Sequence, residues 1–268
     1  MKTILVSSSF DDMRFADFRF LEEAGRLGQS LHALLWSDEL VQRLTGKPPK
    51  FPQAERQYLL GAIRYVGQIA VVNDLRSYPD VEAQVYAVRE GEDTPAGRQW
   101  ASSNGIEYRV IEERVLKLVP PPPAVPLNPR SSRPKVVVTG CFDYFHSGHV
   151  RFFEECSELG DLYVVVGHDA NIRLLKGEGH PLFPATERRY IVGSIRYVTE
   201  ALISSGQGWM DAEPEFLKIR PDIYVVNEDG DRPEKRAFCQ DHGIEYRVLK
   251  RLPKPGLARR SSTSLRGF

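Results

Sequence analysis

Cysteine is scarce in this chain. Cys141, Cys156 and Cys239 are an odd number without CxxC spacing, which excludes a disulfide framework and favours reduced thiols in a cytoplasmic setting. An excess of charge is missing as well. Lys plus Arg number 36 and Asp plus Glu number 36, so no overall basic surface for nucleic acid is expected. No apolar run approaches the length of a membrane span, and Met1-Lys2-Thr3 leads directly into the strand Ile4 to Val6, so neither a span nor a secretory leader is expected. What remains is 268 residues, enough for two small domains with their own cores and small ligands.

The chain repeats itself once. Ser9-Phe10-Asp11, Phe20-Leu21-Glu22-Glu23 and Leu27-Gly28 echo Cys141-Phe142-Asp143, Phe152-Phe153-Glu154-Glu155 and Leu159-Gly160. The echo continues in Phe51-Pro52, Glu55-Arg56 and Tyr58 against Phe183-Pro184, Glu187-Arg188 and Tyr190. Ile63 to Val66 is identical to Ile195 to Val198, and Gly105 to Val110 is identical to Gly243 to Val248. Matches in one order at a near-constant offset indicate a duplicated domain. Between the copies, residues 118–135 carry Pro120 to Pro123 in a row with Pro126, Pro129 and Pro134 beyond. Such a segment suits an extended spacer, and a proline-rich docking ligand is the other reading.

Each copy alternates strands with helices, which predicts an α/β fold of two tandem Rossmann-like domains with doubly wound parallel sheets. In the second copy strands are expected at Val136 to Thr139, Leu162 to Val166, Ala201 to Ile203, Ile223 to Val226 and Ile244 to Leu249. Helices are expected from Gly148, Thr186 and Pro233. The domains run over residues 1–117 and 136–268.

The most informative stretch is Val136 to Leu159. A buried strand breaks at Gly140, and a turn delivers His146-Ser147-Gly148-His149 to the first turn of a helix whose apolar positions are Phe152, Phe153, Cys156 and Leu159. Two histidines three residues apart share a helix face, and the helix amino terminus adds roughly half a positive charge for a phosphate to meet. A satisfied structural pair, or half of a metal site, is the alternative, but no third ligand at zinc spacing follows.

Gly140-Cys141-Phe142-Asp143 with His146-Ser147-Gly148-His149 resembles the signature of the HxGH nucleotidyltransferases, the cytidylyltransferase family. The resemblance implies transfer of a nucleotidyl group from a nucleoside triphosphate to a phosphorylated alcohol with loss of pyrophosphate. It implies His146, His149, Lys176 and Arg188 as catalytic donors, and Mg2+ arriving with the triphosphate. It further implies nucleotide contacts from Gly140, Cys141, Phe142, Asp143, Gly148, His168, Asp169 and the strand end Asn227, Glu228 and Asp229. Ser262, Thr263 and Ser264 resemble the family's second signature. Bland readings stand beside several of these: a solvated loop lysine for Lys176, a helix-start pair for Glu187 and Arg188, an N-cap for the serines and for Asp169. Asn227 departs from the pattern, standing where the family often has glycine.

The tandem arrangement resembles the ethanolamine-phosphate cytidylyltransferases of phospholipid biosynthesis, although in eukaryotic members the first copy is the intact one. CTP with a small phosphorylated alcohol such as phosphoethanolamine is the main expectation, and ATP with a sugar phosphate, as in heptose-phosphate adenylyltransferases, is the alternative. A non-catalytic nucleotide sensor is a further reading. Kinship with the HIGH-type aminoacyl-tRNA synthetases fits less well, because the chain has no Lys-Met-Ser-Lys-Ser-like stretch. In the first copy Arg14, Ala16 and Asp17 replace His146, Gly148 and His149, so that copy is expected to be catalytically dead. It would serve as partner in an intramolecular pseudo-dimer, with a homodimer of chains also open.

Overall fold

The computed structural model describes residues 2–75, 82–124, 126 and 130–265. The chain divides into two compact units, Met1–Val119 and Pro120–Phe268. In the first, the elements are β1 (Thr3–Ser8), α1 (Phe15–Gly25), β2 (Ser30–Trp36), α2 (Asp38–Thr45), α3 (Gln53–Gly61), β3 (Gln68–Val72), β4 (Val85–Arg89), α4 (Pro95–Ser103), β5 (Glu107–Ile111) and α5 (Glu113–Leu116). In the second they are β6 (Lys135–Gly140), α6 (Ser147–Leu159), β7 (Asp161–Val166), α7 (Asp169–Lys176), α8 (Ala185–Gly193), β8 (Val198–Ile203), α9 (Glu213–Ile219), β9 (Ile223–Asn227), α10 (Pro233–His242), β10 (Glu245–Leu249) and α11 (Ser262–Leu265).

Both sheets have five strands in one order. The first runs β3-β2-β1-β4-β5 and the second β8-β7-β6-β9-β10, and every pairing is parallel. A parallel sheet with helices on both faces buries its central strands on both sides, which is why Val136, Val137 and Val138 form a continuous apolar run rather than an alternating one. On one face of the second sheet Tyr163, Val165, Tyr224 and Val226 pack with Phe216 and Cys239 of α9 and α10. The expected α/β, two-domain, doubly wound architecture is what the chain adopts.

The duplication extends to backbone detail. Phe10 and Phe142 both hold a left-handed φ, 46° and 52°, at the turn after the first strand. A Cβ on Gly28 would stand 2.4 Å from the carbonyl oxygen of Lys2, and one on Gly160 would stand 2.0 Å from that of Pro134. Only glycine lets the helix end approach the first strand this closely.

At its carboxyl end the spacer merges with the second unit. Lys135 already belongs to β6. Pro134 accepts from the Asp161 N–H at 2.8 Å, and Asp161 accepts from the N–H and hydroxyl of Ser131 at 2.7 and 2.9 Å, so the last residues of the proline-rich stretch belong to the second unit. Pro129 lies outside the described residues. Helix α9 has no sequence expectation: seven residues are too few to show a helical period.

Candidate active site

Strand order in the second unit reverses at β6, whose sheet neighbours β7 and β9 lie on opposite sides. Open α/β sheets bind ligands at the carboxyl ends of the strands beside such a point. Here a cleft of about 280 Å³ opens there, lined by the β6 end and its turn, the start of α6, Lys176, the β9 end, Lys235, Arg251 and the 261–263 segment.

His146 occupies the N-cap of α6. Its Nδ1 accepts from the Gly148 N–H at 3.1 Å, which fixes the ring proton of the neutral imidazole on Nε2. That fold-back needs the glycine, since a Cβ at position 148 would lie 2.9 Å from the His146 ring. His149 stacks on His146 with ring centroids 3.9 Å apart, and Phe142 meets its ring edge-on at 5.3 Å. His146 Nε2 and His149 Nδ1 are sealed from solvent and have no hydrogen-bond partner among the described residues. Burial, reinforced by Arg251 and Arg260, pushes the His146 imidazole down to about 3. Burial and then the His146 ring hold His149 well below the ordinary histidine range. Both are therefore neutral at pH 7, and two buried ring nitrogens are left for a ligand to satisfy.

The other expected residues divide into two sets. Gly140, Cys141, Phe142, Asp143, Gly148, Lys176, Asn227, Asp229, Ser262 and Thr263 line the same cleft. Asp143 does so as an anchor, its carboxylate accepting from the N–H groups of Leu182 and Phe183 at 2.8 and 3.0 Å and so tying down the chain that follows Lys176. Arg188, His168, Asp169, Glu228 and Ser264 are not among the residues that line it.

Arg188 is wholly buried. Its guanidinium donates to the carbonyls of Phe183, Cys141 and Gly167 at 2.8, 2.6 and 2.8 Å and pairs with Asp169 at 2.6 Å. Four of its five N–H donors are thus engaged within the fold, three by backbone carbonyls and one by a carboxylate. His168 caps α7 through Nδ1, which accepts from Asn171 at 3.3 Å, and its Nε2 donates to Gly206 O at 2.8 Å. Ser264 pairs with Ser261, and Glu228 faces Arg259 at 4.0 Å.

Among the ionisable lining residues, His180 and Lys235 have no sequence expectation as site residues, and Arg251 lines the cleft as well. Arg251 bonds Asp229 and also donates to Arg260 O at 3.2 Å. Lys235 is 8% exposed. His180 and Lys235 each reach the cleft from a separate loop or helix with no local motif to mark it. Arg251 does carry one signal, since the Lys250-Arg251 pair ahead of the 262–264 element also resembles the family pattern.

In the first unit the equivalent hollow, about 200 Å³, is lined by Asp11, Asp17, Glu92 and Arg89 among others. Asp17 accepts from the Arg14 N–H at 2.7 Å and pairs with Arg89 at 2.6 Å, while Arg89 also pairs with Glu113 at 2.9 Å. Arg89 stands at the end of β4, where the second unit has Asn227 at the end of β9. Burial raises the pKa of Asp17 and of Glu92, and the Arg89 pairs offset part of the negative charge of this side.

Comparison with known proteins agrees with this geometry. A family model described as cytidylyltransferase-like matches residues 137–248. The FAD synthase of Thermococcus kodakarensis is 35% identical over 133 residues, 48% of this chain and 87% of that protein, and the one from Pyrococcus horikoshii is 37% identical over 123 residues, 44% and 80%. The bifunctional protein HldE of a Nitratiruptor species is 35% identical over 116 residues, 42% of this chain but only 24% of that protein. Among solved structures, a lipopolysaccharide core biosynthesis protein from Thermoplasma volcanium aligns with 47% of this chain and 98% of its own at 23% identity and a TM-score of 0.38. Among the described residues no helix is long and apolar enough to cross a membrane. With relatives covered over most of their length at this identity, and the matched segment holding the paired histidines, the chain belongs to the cytidylyltransferase-like family and is a nucleotidyltransferase.

Proposed function

We propose that the second unit transfers an adenylyl group from ATP to the phosphate of a phosphorylated acceptor such as a sugar phosphate, releasing pyrophosphate. The observation that carries the reading is the stacked pair His146 and His149, with two sealed and unpartnered ring nitrogens in a cleft at the sheet's switch point. ATP is favoured over CTP because the relatives are named for the synthesis of FAD, a flavin phosphate bearing an adenylyl group. CTP with phosphoethanolamine stands second, supported by the resemblance of the tandem arrangement.

In this reading a phosphate oxygen of the acceptor attacks the α-phosphorus, the bond from that phosphorus to the bridging oxygen breaks, and its electron pair leaves with pyrophosphate. An anionic oxygen attacks, so no base is required. Neutral His146 donates its Nε2–H and His149 a ring N–H toward the phosphates, joined by the α6 amino terminus, Lys176, Ser262 and Thr263. Donors fixed in place before the reaction stabilise charge developing in the transition state without reorganisation cost. Magnesium enters as part of the substrate, on the triphosphate oxygens. Among the described residues no three His, Cys, Asp or Glu side chains converge to hold it separately. The first unit, with Asp17 and Arg89 in place of this constellation, is read as non-catalytic.

The test is magnesium-dependent pyrophosphate release with ATP or CTP against sugar phosphates, glycerol 3-phosphate, phosphoethanolamine and phosphocholine. Release that needs ATP and one acceptor supports the reading, and release with CTP alone transfers it to the second. Absence of release with every pair overturns both.

A further inference from the structure

Lys235, the third residue of α10, is the feature of the cleft that the phosphate chemistry leaves unused. It is 8% exposed, yet it lines the cleft beside Asn227, Asp229 and Gly230. Its ammonium donates to Gly230 O at 3.1 Å and lies 5.6 Å from the centroid of the Tyr224 ring. A lysine carries three N–H donors, so with one carbonyl as partner two are left in a largely dry site. The cost of burying an ammonium group falls when a ligand supplies acceptors.

The surroundings say which part of a nucleotide those acceptors come from. The histidines, the α6 amino terminus, Lys176 and the 261–263 segment form the cationic and donor-rich side of the cleft. Lys235 comes from the β9 and α10 side, where its charged neighbours are Asp211, Asp231 and Asp229 with Arg232. Asp231 is itself paired with Arg236 and Asp229 with Arg251, so the charge on this side is largely compensated within the fold and suits a neutral group rich in oxygen and ring-nitrogen acceptors. Burial lowers the lysine pKa. The first unit, which lacks the paired histidines, has Gly97 at the matching position of α4.

We propose that Lys235 is a specificity-determining residue that reads the nucleoside half of the triphosphate, donating to acceptors of the ribose or base from the β9 side of the cleft. The inference rests on the nucleotidyltransferase reading of the site. Its test is calorimetric binding of magnesium-loaded ATP, CTP and inorganic tripolyphosphate to the full chain and to Lys235→Met. A tenfold or greater loss of ATP affinity with tripolyphosphate affinity unchanged within twofold is the expected result. Equal losses for ATP and CTP identify the ribose as the group read, and a changed ATP to CTP ratio identifies the base.

A parallel measurement needs no variant: in the wild-type chain ATP shields Lys235 from an amine-acetylating reagent, read by mass spectrometry, and tripolyphosphate does not. Unchanged ATP affinity in Lys235→Met, equal losses of ATP and tripolyphosphate, or acetylation indifferent to ATP would overturn the inference while leaving the phosphate site standing. A wild-type chain that binds neither ATP, CTP nor tripolyphosphate would instead remove the proposed function, and this inference with it.

Discussion

The two units share a scaffold and differ in chemistry, and the positions that match are as instructive as those that do not. Arg56 repeats the bonds of Arg188: it donates to Phe51 O at 2.9 Å and to Ser9 O, and pairs with Asp38 at 2.7 Å. Asp11 repeats Asp143, accepting from the N–H groups of Lys50 and Phe51 at 2.6 and 2.9 Å. Even the peripheral trios match, Arg98 with Asp93 and Tyr108, and Arg236 with Asp231 and Tyr246. The mismatches gather at the cleft: His146 against Arg14, His149 against Asp17, Asn227 against Arg89, Lys235 against Gly97. A feature kept in the unit without the histidines is a requirement of the turn and sheet. A feature present only beside the histidines is a candidate for chemistry.

The largest expected effect lies in the shared scaffold. Arg188→Ala and Arg56→Ala each leave buried carbonyls and a carboxylate without a partner, and each should cost its unit about 3–5 kcal/mol, measured by chemical denaturation. A large drop in activity for Arg188→Ala without loss of stability would return that residue to the substrate and break the comparison.

Next come the cleft residues. His149→Ala should lower pyrophosphate release by about a hundredfold to a thousandfold with little change in stability, and Asp17→Ala should leave turnover where it was. Steady-state rates at saturating magnesium check both. Equal sensitivity of the two units would contradict the assignment of chemistry to the second alone.

The buried imidazoles also set an acid limit. His146 is held at about 3 when folded against about 6.5 when unfolded. The unfolded chain therefore binds a proton that the folded chain refuses throughout that window. Stability from this group is complete above pH 6.5 and is lost as pH falls toward 3, by about 1.4 kcal/mol per pH unit. Denaturation of the second unit should show this slope, and His146→Asn should flatten it. The smallest effect belongs to the shared glycines: Gly160→Ala and Gly28→Ala should cost about 1–3 kcal/mol each through the clash with the first strand, read as a shift in the denaturation midpoint.

Much of this was legible in the residues because it is written locally. The alternation of apolar runs with helical spacing marks the strands and helices, and His146 to His149 lies within one turn, so its placement follows from the strand before it and the helix after it. What stayed open is what sequence position cannot encode. Arg188 sits on the expected helix, but nothing in its neighbours says that its guanidinium turns inward to three carbonyls. His168 sits at the end of a strand near the cleft, yet its ring caps α7. Lys235 and His180 were missed because chain segments far apart in sequence bring them to the cleft. The identity of Arg56 and Arg188 in the two copies was the available signal for a scaffold role, since a residue retained where the histidines are missing is not tied to their chemistry.

The central claim is that one chain holds one nucleotide site, formed by the second unit. Titration calorimetry with magnesium-loaded ATP tests it most directly. The expected result is one ATP per chain, weakened at least tenfold by His149→Ala and unmoved by Asp17→Ala. Two equivalents per chain, or binding that survives His149→Ala and is lost with Asp17→Ala, would contradict it.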